Sequence, residues 1–135
     1  MLKVHHVNIV SPNLAELDTF YREVMEMQSK PGLDEGRKED GYNSGGATWV
    51  TDGVFEFHLA VPNYNVAFDT GQSINPVHRG HVAFRTDDIE GFKKRLEERG
   101  IPYADFGRWA MKGWYQIFFH DPAGTVVEVN QIFEE

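Results

Sequence analysis

Four ionisable side chains recur at matching points of this sequence: His6 and His81, Glu56 and Glu128. Each histidine opens a hydrophobic run that ends at a helix-cap signal (H-V-N-I-V-S and H-V-A-F-R-T-D). Each glutamate follows a hairpin turn (D-G-V-F-E and D-P-A-G-T-V-V-E). Two imidazoles with one or two carboxylates, and no thiolate, suit a borderline divalent cation such as Fe, Mn, Ni, Co or Zn. Three or four such ligands leave coordination positions open for water or substrate, as metal catalysis requires. Taken singly, a strand histidine is more often a core or rim residue, and a strand glutamate an exposed alternate. Recurrence of both types in both halves favours a metal site.

Strand parity supports the grouping. Side chains alternate, so Val126, Glu128 and Asn130 share one face, as do Val54, Glu56 and His58. A glutamate inside a β-branched run is costly to bury unless it is paired or metal-bound. His58 is the substitute fourth group if a bulge turns Glu56 away. Of the adjacent His5 and His6, parity points only one inward. His78 and His120 fall in a connecting stretch and at a turn, and are read as surface residues.

The elements that must position these groups repeat. Lys3 to Val10 reads as a strand, Ser11-Pro12-Asn13 as a helix start, and Leu14, Leu17, Phe20/Tyr21 and Val24 as the apolar stripe of an amphipathic helix. Ser29 to Gly46 reads as a loop with a ragged edge strand. Ala47 to Thr51 and Val54 to Val61 are strand-like runs split by Asp52-Gly53, a hairpin signal. The second half follows the same order. His81 to Arg85 is a strand, and Asp87 or Asp88 caps a helix with Ile89, Phe92 and Leu96 on its buried face, ended by Gly100. Ile101 to Tyr103 reads as a short strand. Trp114 to His120 and Thr125 to Ile132 are strands joined by the turn Asp121-Pro122-Ala123-Gly124. One βαβββ unit alone leaves a sheet face bare, and two side by side cover it. The expected fold is therefore α+β: two βαβββ modules, about 3–60 and 80–133, joined by a linker over 61–79. They form a curved mixed sheet around a cleft, with the helices outside.

Composition narrows the function. The 135 residues suit one compact domain, and no apolar run approaches the ~20 residues that span a bilayer. There is no cysteine, which excludes disulfides, thiolate zinc sites and cysteine nucleophiles and fits a cytoplasmic protein. The net charge of −8 repels a phosphate backbone. Lys93, Lys94, Arg95 and Arg99 alternate with Glu90, Glu97 and Glu98 as a solvated helix face. Nucleic acid and membranes are thus not expected partners; a small molecule is. Arg108 to Trp114 mixes cations, aromatics and glycine, apt for a loop over a small ligand; core packing accounts equally well for Trp109 and Trp114, and for Trp49, Tyr64 and Phe68.

The segments H-H-V-N-I-V-S-P-N-L with Phe20-Tyr21 beyond, G-H-V-A-F-R-T-D-D-I, and F-F-H-D-P-A-G-T-V-V-E-V together resemble the vicinal oxygen chelate superfamily. That superfamily includes glyoxalase I, extradiol dioxygenases, fosfomycin-resistance proteins and bleomycin-binding proteins. The resemblance implies a divalent metal held by His6, His81 and Glu128, with Glu56 as a fourth ligand or base. It implies an enzyme, a lyase/isomerase or dioxygenase, that binds a small oxygen-rich molecule and stabilises an enolate or catecholate on the cation. Glu56 or Glu128 would move the proton. Tyr115 and His120 are the acid–base candidates of a dioxygenase reading. The alternative is a metal-free drug- or metabolite-binding protein. A homodimer is also implied, with the site drawn from one chain or from two.

Overall fold

The computed structural model of the chain describes residues 2–31 and 46–133. Eight strands form one sheet: β1 (Lys3–Val10), β2 (Gln28–Ser29), β3 (Ala47–Thr51), β4 (Glu56–Ala60), β5 (His81–Arg85), β6 (Ala104–Gly107), β7 (Trp114–His120) and β8 (Val126–Ile132). Their order across the sheet is β2-β3-β4-β1-β5-β8-β7-β6. This order is its own mirror when β1 is exchanged with β5, β4 with β8, β3 with β7 and β2 with β6. The two halves therefore meet at the central antiparallel pair β1/β5, and each flanks it with a parallel neighbour, β4 or β8. The fold is α+β, as the sequence pattern leads one to expect.

Helices cover one face. α1 (Leu14–Thr19) is capped by Asn13, whose side chain accepts from the Glu16 N–H. Leu14, Leu17 and Tyr21 pack with Met27, Val50 and Leu59. α3 (Ile89–Glu98) is capped by Asp88, which accepts from the Gly91 N–H. Its Ile89 and Leu96 pack with Ile117 and Val129. The opposite face of the sheet carries His6, Asn8, His58, His81 and Glu128, all buried.

Several boundaries differ from the expected ones. Phe20–Val24 continue α1 as a π-helical turn, which rotates the apolar stripe, so Phe20 and Val24 lie exposed. Val54 and Phe55 belong to the turn, because the Asp52 carboxylate accepts both of their N–H groups and β4 starts only at Glu56. Ile101 is held to the end of α3 by its N–H bond to the Leu96 carbonyl, and the strand forms later, at Ala104. The linker contains a short helix, α2 (Val66–Thr70), and its Val66 and Val77 pack against Met111 and Trp114. Of the Ser29–Gly46 loop, residues 32–45 lie outside the described part. No helix among the described residues is long and apolar enough to cross a membrane.

The centre of the sheet is tightest where Gly80 leads into β5. Its φ is +89°, and a Cβ there would lie 2.1 Å from the Asn8 carbonyl oxygen. Both the left-handed backbone and the clash oppose any side chain. Gly80→Ala is expected to lower the free energy of unfolding by about 2–4 kcal/mol, read by chemical denaturation. An unchanged midpoint would contradict the close approach of the two chain segments.

Candidate metal centre

Three ligand-type atoms converge at the seam of the two halves. One atom each from His6, His81 and Glu128 lies within 4.8 Å of the others. His6 comes from β1, His81 from the start of β5, and Glu128 from β8. All three belong to one chain, so a second copy is not needed to complete the group. His6 and Glu128 are almost wholly shielded from water, at 1% and 0% exposure, and His81 is at 6%.

The outer hydrogen bonds fix how these side chains present themselves. His81 donates from Nδ1 to the Pro76 carbonyl at 2.7 Å. A neutral His81 therefore carries a bare Nε2, and that atom faces Glu128 Oε1 at 3.0 Å. His6 shares a proton between its Nδ1 and that of His5, 2.9 Å apart. Its Nε2 stands 3.7 Å from the same carboxylate oxygen, too far to donate a hydrogen bond. The other oxygen of Glu128 accepts from Asn130 Nδ2 at 2.6 Å. His6 Nε2, His81 Nε2 and Glu128 Oε1 are thus buried without hydrogen-bond partners. Polar atoms buried together without partners cost free energy. A divalent cation relieves all three at once, and two nitrogens with one oxygen fit a borderline ion. Partner bonds of this kind on ligating histidines and carboxylates orient metal sites in general.

Protonation is set by the same surroundings. Burial, with His58, His81 and His5 as neighbours, holds the His6 pKa well below its ordinary value. Burial also lowers His58, against the opposing pull of Glu56. His5 falls to about 4 through burial and the Arg85 charge. Burial pushes Glu128 upward, but the hydrogen bonds from His81, whenever its Nε2 carries a proton, and from Asn130 outweigh it and keep its carboxyl below the usual range.

Glu56 lies apart from the three-atom group. Its Oε1 is 2.9 Å from His58 Nε2, and its Oε2 is 3.5 Å from His5 Nε2 and 4.0 Å from Lys30 Nζ. Burial raises its pKa, yet the hydrogen bond from His58 and the nearby charges bring it below its ordinary value. Register explains its place. In β1/β4 Asn8 pairs with His58, and in β5/β8 Ala83 pairs with Glu128. Asn8 and Ala83 each lie two residues beyond His6 and His81. The sheet counterpart of Glu128 is therefore His58, not Glu56, and no bulge interrupts β4. The His58 ring stacks on His6 with centroids 3.8 Å apart.

The bulge lies in β1 instead. Register shifts between Val4 and His6, and the extra residue, His5, joins His6 on the same side. Its ring is 5.1 Å from His6 and 5.5 Å from Trp114. Parity alone admits only one of this pair, so His5 departs from the expectation. Asn8 is a further buried polar residue that sequence reasoning passes over; both polar atoms of its amide lack partners. Its only signal is a polar residue two steps from His6 in an apolar strand. Tyr115 lies away from the centre, its hydroxyl bonded to Lys93 and Asp105. His78 and His120 are exposed.

Comparison with known proteins agrees with this architecture. The model of the Glyoxalase/Bleomycin resistance protein/Dioxygenase superfamily matches residues 3–129. The chain belongs to that superfamily. Glyoxylase I 4 of Arabidopsis thaliana is 26% identical over 132 residues, covering 96% of this chain and 70% of that protein. A hypothetical protein from Bacillus halodurans C-125 has the same fold, with a TM-score of 0.64 at 17% identity over 99% of this chain and 96% of the other. Methylmalonyl-CoA epimerase from Streptomyces coelicolor also shares it, with a TM-score of 0.62 at 16% identity over 98% of each chain.

Neutral buried imidazoles carry a consequence for this superfamily member. His5, His6 and His58 bind fewer protons folded than unfolded once pH drops below about 6.5. Glu56 and Glu128, with lowered pKa values, stabilise the fold above their ordinary value of 4.5 and lose that contribution as pH falls through their folded values. Both effects have one sign. The unfolding midpoint of chelator-treated protein is expected to fall steadily from pH 7 to pH 4. A level or rising midpoint over that range would contradict these proton affinities.

Proposed function

We propose that this chain is a metal-dependent enzyme of the superfamily that acts on a small oxygen-rich molecule, with its ion held by His6, His81 and Glu128. The observation that carries this reading is the convergence of three buried, partnerless ligand atoms at one point. Among the similar proteins, Glyoxylase I 4 and methylmalonyl-CoA epimerase bear enzyme names, which supports an active protein over a passive binder. When bound, a divalent ion supplies positive charge against which negative charge developing on a substrate oxygen is stabilised.

The residues around it divide the remaining work. Glu128 has both oxygens committed, one to Asn130 and one to the three-atom group, so it is a ligand and not the proton carrier. Glu56 is the proton carrier. It is ionised at neutral pH, and it is reached by solvent more readily than Glu128. The His58 imidazole against it orients one oxygen and stabilises its charge, and leaves the other oxygen on the His5 side. Trp49 and Trp114 flank the histidines and limit water at this face.

Elemental analysis tests the assignment. Protein purified without added metal is expected to carry close to one divalent ion per chain. His81→Ala and Glu128→Gln should weaken metal affinity at least about 100-fold, more than outer partners contribute. Equal, negligible metal in the unaltered protein and both variants removes the proposal.

Glu56→Gln separates the two roles. It is expected to keep its metal, because Glu56 is not one of the converging groups. Its turnover, on whichever compound responds in a screen of methylglyoxal–thiol adducts, catechols and epoxide antibiotics, should fall roughly 10²–10⁴-fold. Loss of metal together with turnover would make Glu56 a fourth ligand instead.

A further inference from the structure

Beside the metal centre, at the β1/β5 end marked by the His5 bulge, lies a cavity of about 450 Å³ lined by Lys3, His5, Arg85 and Asp87 among others. Its volume lies within the range of small-molecule sites. Lys3 and Arg85 are directly opposed in the β1/β5 register. Residues paired across a sheet share a face, and like charges so placed destabilise the pair. Neither cation has an ion-pair partner among the described residues. The Arg85 guanidinium is partly buried. It lies 4.5 Å over the Trp114 ring and donates from Nε to Asn130 Oδ1 at 2.8 Å. Its Nη2 is buried with no partner at all. An arginine held on two sides, with a second cation opposite and both lining one cavity, has the parts of an anion receptor.

The receptor is joined to the metal centre through one side chain. Asn130 accepts from Arg85 with its oxygen and donates to Glu128 Oε2 with its nitrogen. A single carboxamide thus links the guanidinium to a proposed metal ligand. His5 lines both the cavity and the three-atom group's surroundings. The net charge of −8 and the nearby Asp87 oppose anions at long range. The two cations therefore act at contact, not by steering.

We infer that Arg85 and Lys3 bind the carboxylate of a small acid whose other end supplies oxygen donors to the His6, His81 and Glu128 centre. This rests on the metal reading above for the oxygen donors, and on the cavity alone for the carboxylate. The substrate class is accordingly an anionic one: a short carboxylic acid bearing vicinal oxygens or an oxo group at its far end. Arg85 sets specificity for the charged end.

Matched probes test it. 2-Oxoglutarate and 2-oxovalerate share chain length and a chelating head, and only the first has a distal carboxylate. Calorimetric titration of metal-loaded protein is expected to give at least about tenfold tighter binding of 2-oxoglutarate. With metal bound, Arg85→Gln should reduce this preference to about twofold or less, and Lys3→Gln, an exposed change that spares the Asn130 bridge, should reduce it at least about threefold. After metal is stripped by chelator nothing holds the oxo head, and each acid still presents a carboxylate, so both should bind weakly and alike, and Arg85→Gln should abolish that binding. In metal-loaded protein, equal affinity for the two acids, absence of binding by either, or an unaltered preference in both variants overturns the inference. Metal content measured on the same samples keeps the outcomes apart. Weak binding of both acids that Arg85→Gln abolishes, in protein that never binds metal, upholds the anion receptor and removes the metal centre, whereas normal metal with no preference does the reverse.

Discussion

Three polar atoms pointed at one buried spot form the constraint on which the rest of the site depends. A protein interior tolerates a polar atom when something meets it, and the cost of leaving one unmet is about 1–3 kcal/mol. Here His6 Nε2, His81 Nε2 and Glu128 Oε1 are unmet together, and each is turned toward the others. The orientation is not accidental. Pro76 takes the far proton of His81, His5 engages the far nitrogen of His6, and Asn130 holds the far oxygen of Glu128. The outer bond of His81 leaves its inner atom free to hold a cation, and that of His6 does so in the tautomer that donates to His5; these bonds set geometry that the inner atoms could not set for themselves.

Sheet register then decides which residues reach that spot. The central antiparallel pair β1/β5 brings Asn8 opposite His81 and His6 opposite Ala83. The parallel flanks bring His58 beside Asn8 and Glu128 beside Ala83. The two halves are alike in strand order and unlike in chemistry. The second contributes a carboxylate at the position where the first contributes His58, and the first displaces its own carboxylate two residues along the strand to Glu56. That asymmetry separates the His6, His81 and Glu128 group from the adjacent Glu56–His58 pair on one continuous surface.

Much of this was legible in the sequence. The repeated order of strand, helix and three strands, the boundaries of β1, β3, β5 and β7, and helix caps within Ser11–Asn13 and at Asp87 or Asp88 all follow from alternation and capping chemistry; the structure selects Asn13 and Asp88. The convergence of His6, His81 and Glu128 follows from symmetry between the halves. What the sequence did not convey is register. A hairpin turn places a glutamate on a strand without saying which neighbour it faces, and a two-residue offset keeps parity while changing the partner. Hence His58 and Glu56 exchange places. The β1 bulge is equally silent, since one inserted residue reverses parity for all that precedes it and so brings Lys3 and His5 to the functional side. The π-turn at Phe20–Val24 has the same character: a local change of pitch that no periodicity count reveals.

The distribution of unmet polar atoms ties these observations together. Natural structures satisfy nearly all buried polar groups, and the exceptions concentrate where a ligand, ion or reaction takes the partner's place. Among the described residues the buried side-chain atoms without hydrogen bonds belong to His6, Asn8, His81, Arg85 and Glu128. Strand parity puts all five on the same face of the sheet, and the three strands that carry them are adjacent: β1, β5 and β8. Among the described residues the helix-covered face has none. A sequence selected only to fold would place apolar residues at these positions, as it does on the other face. The polar residues kept there cost stability, and their alignment from Asn8 through the three-atom group to Arg85 is what a bound cation and a bound small anion would jointly satisfy.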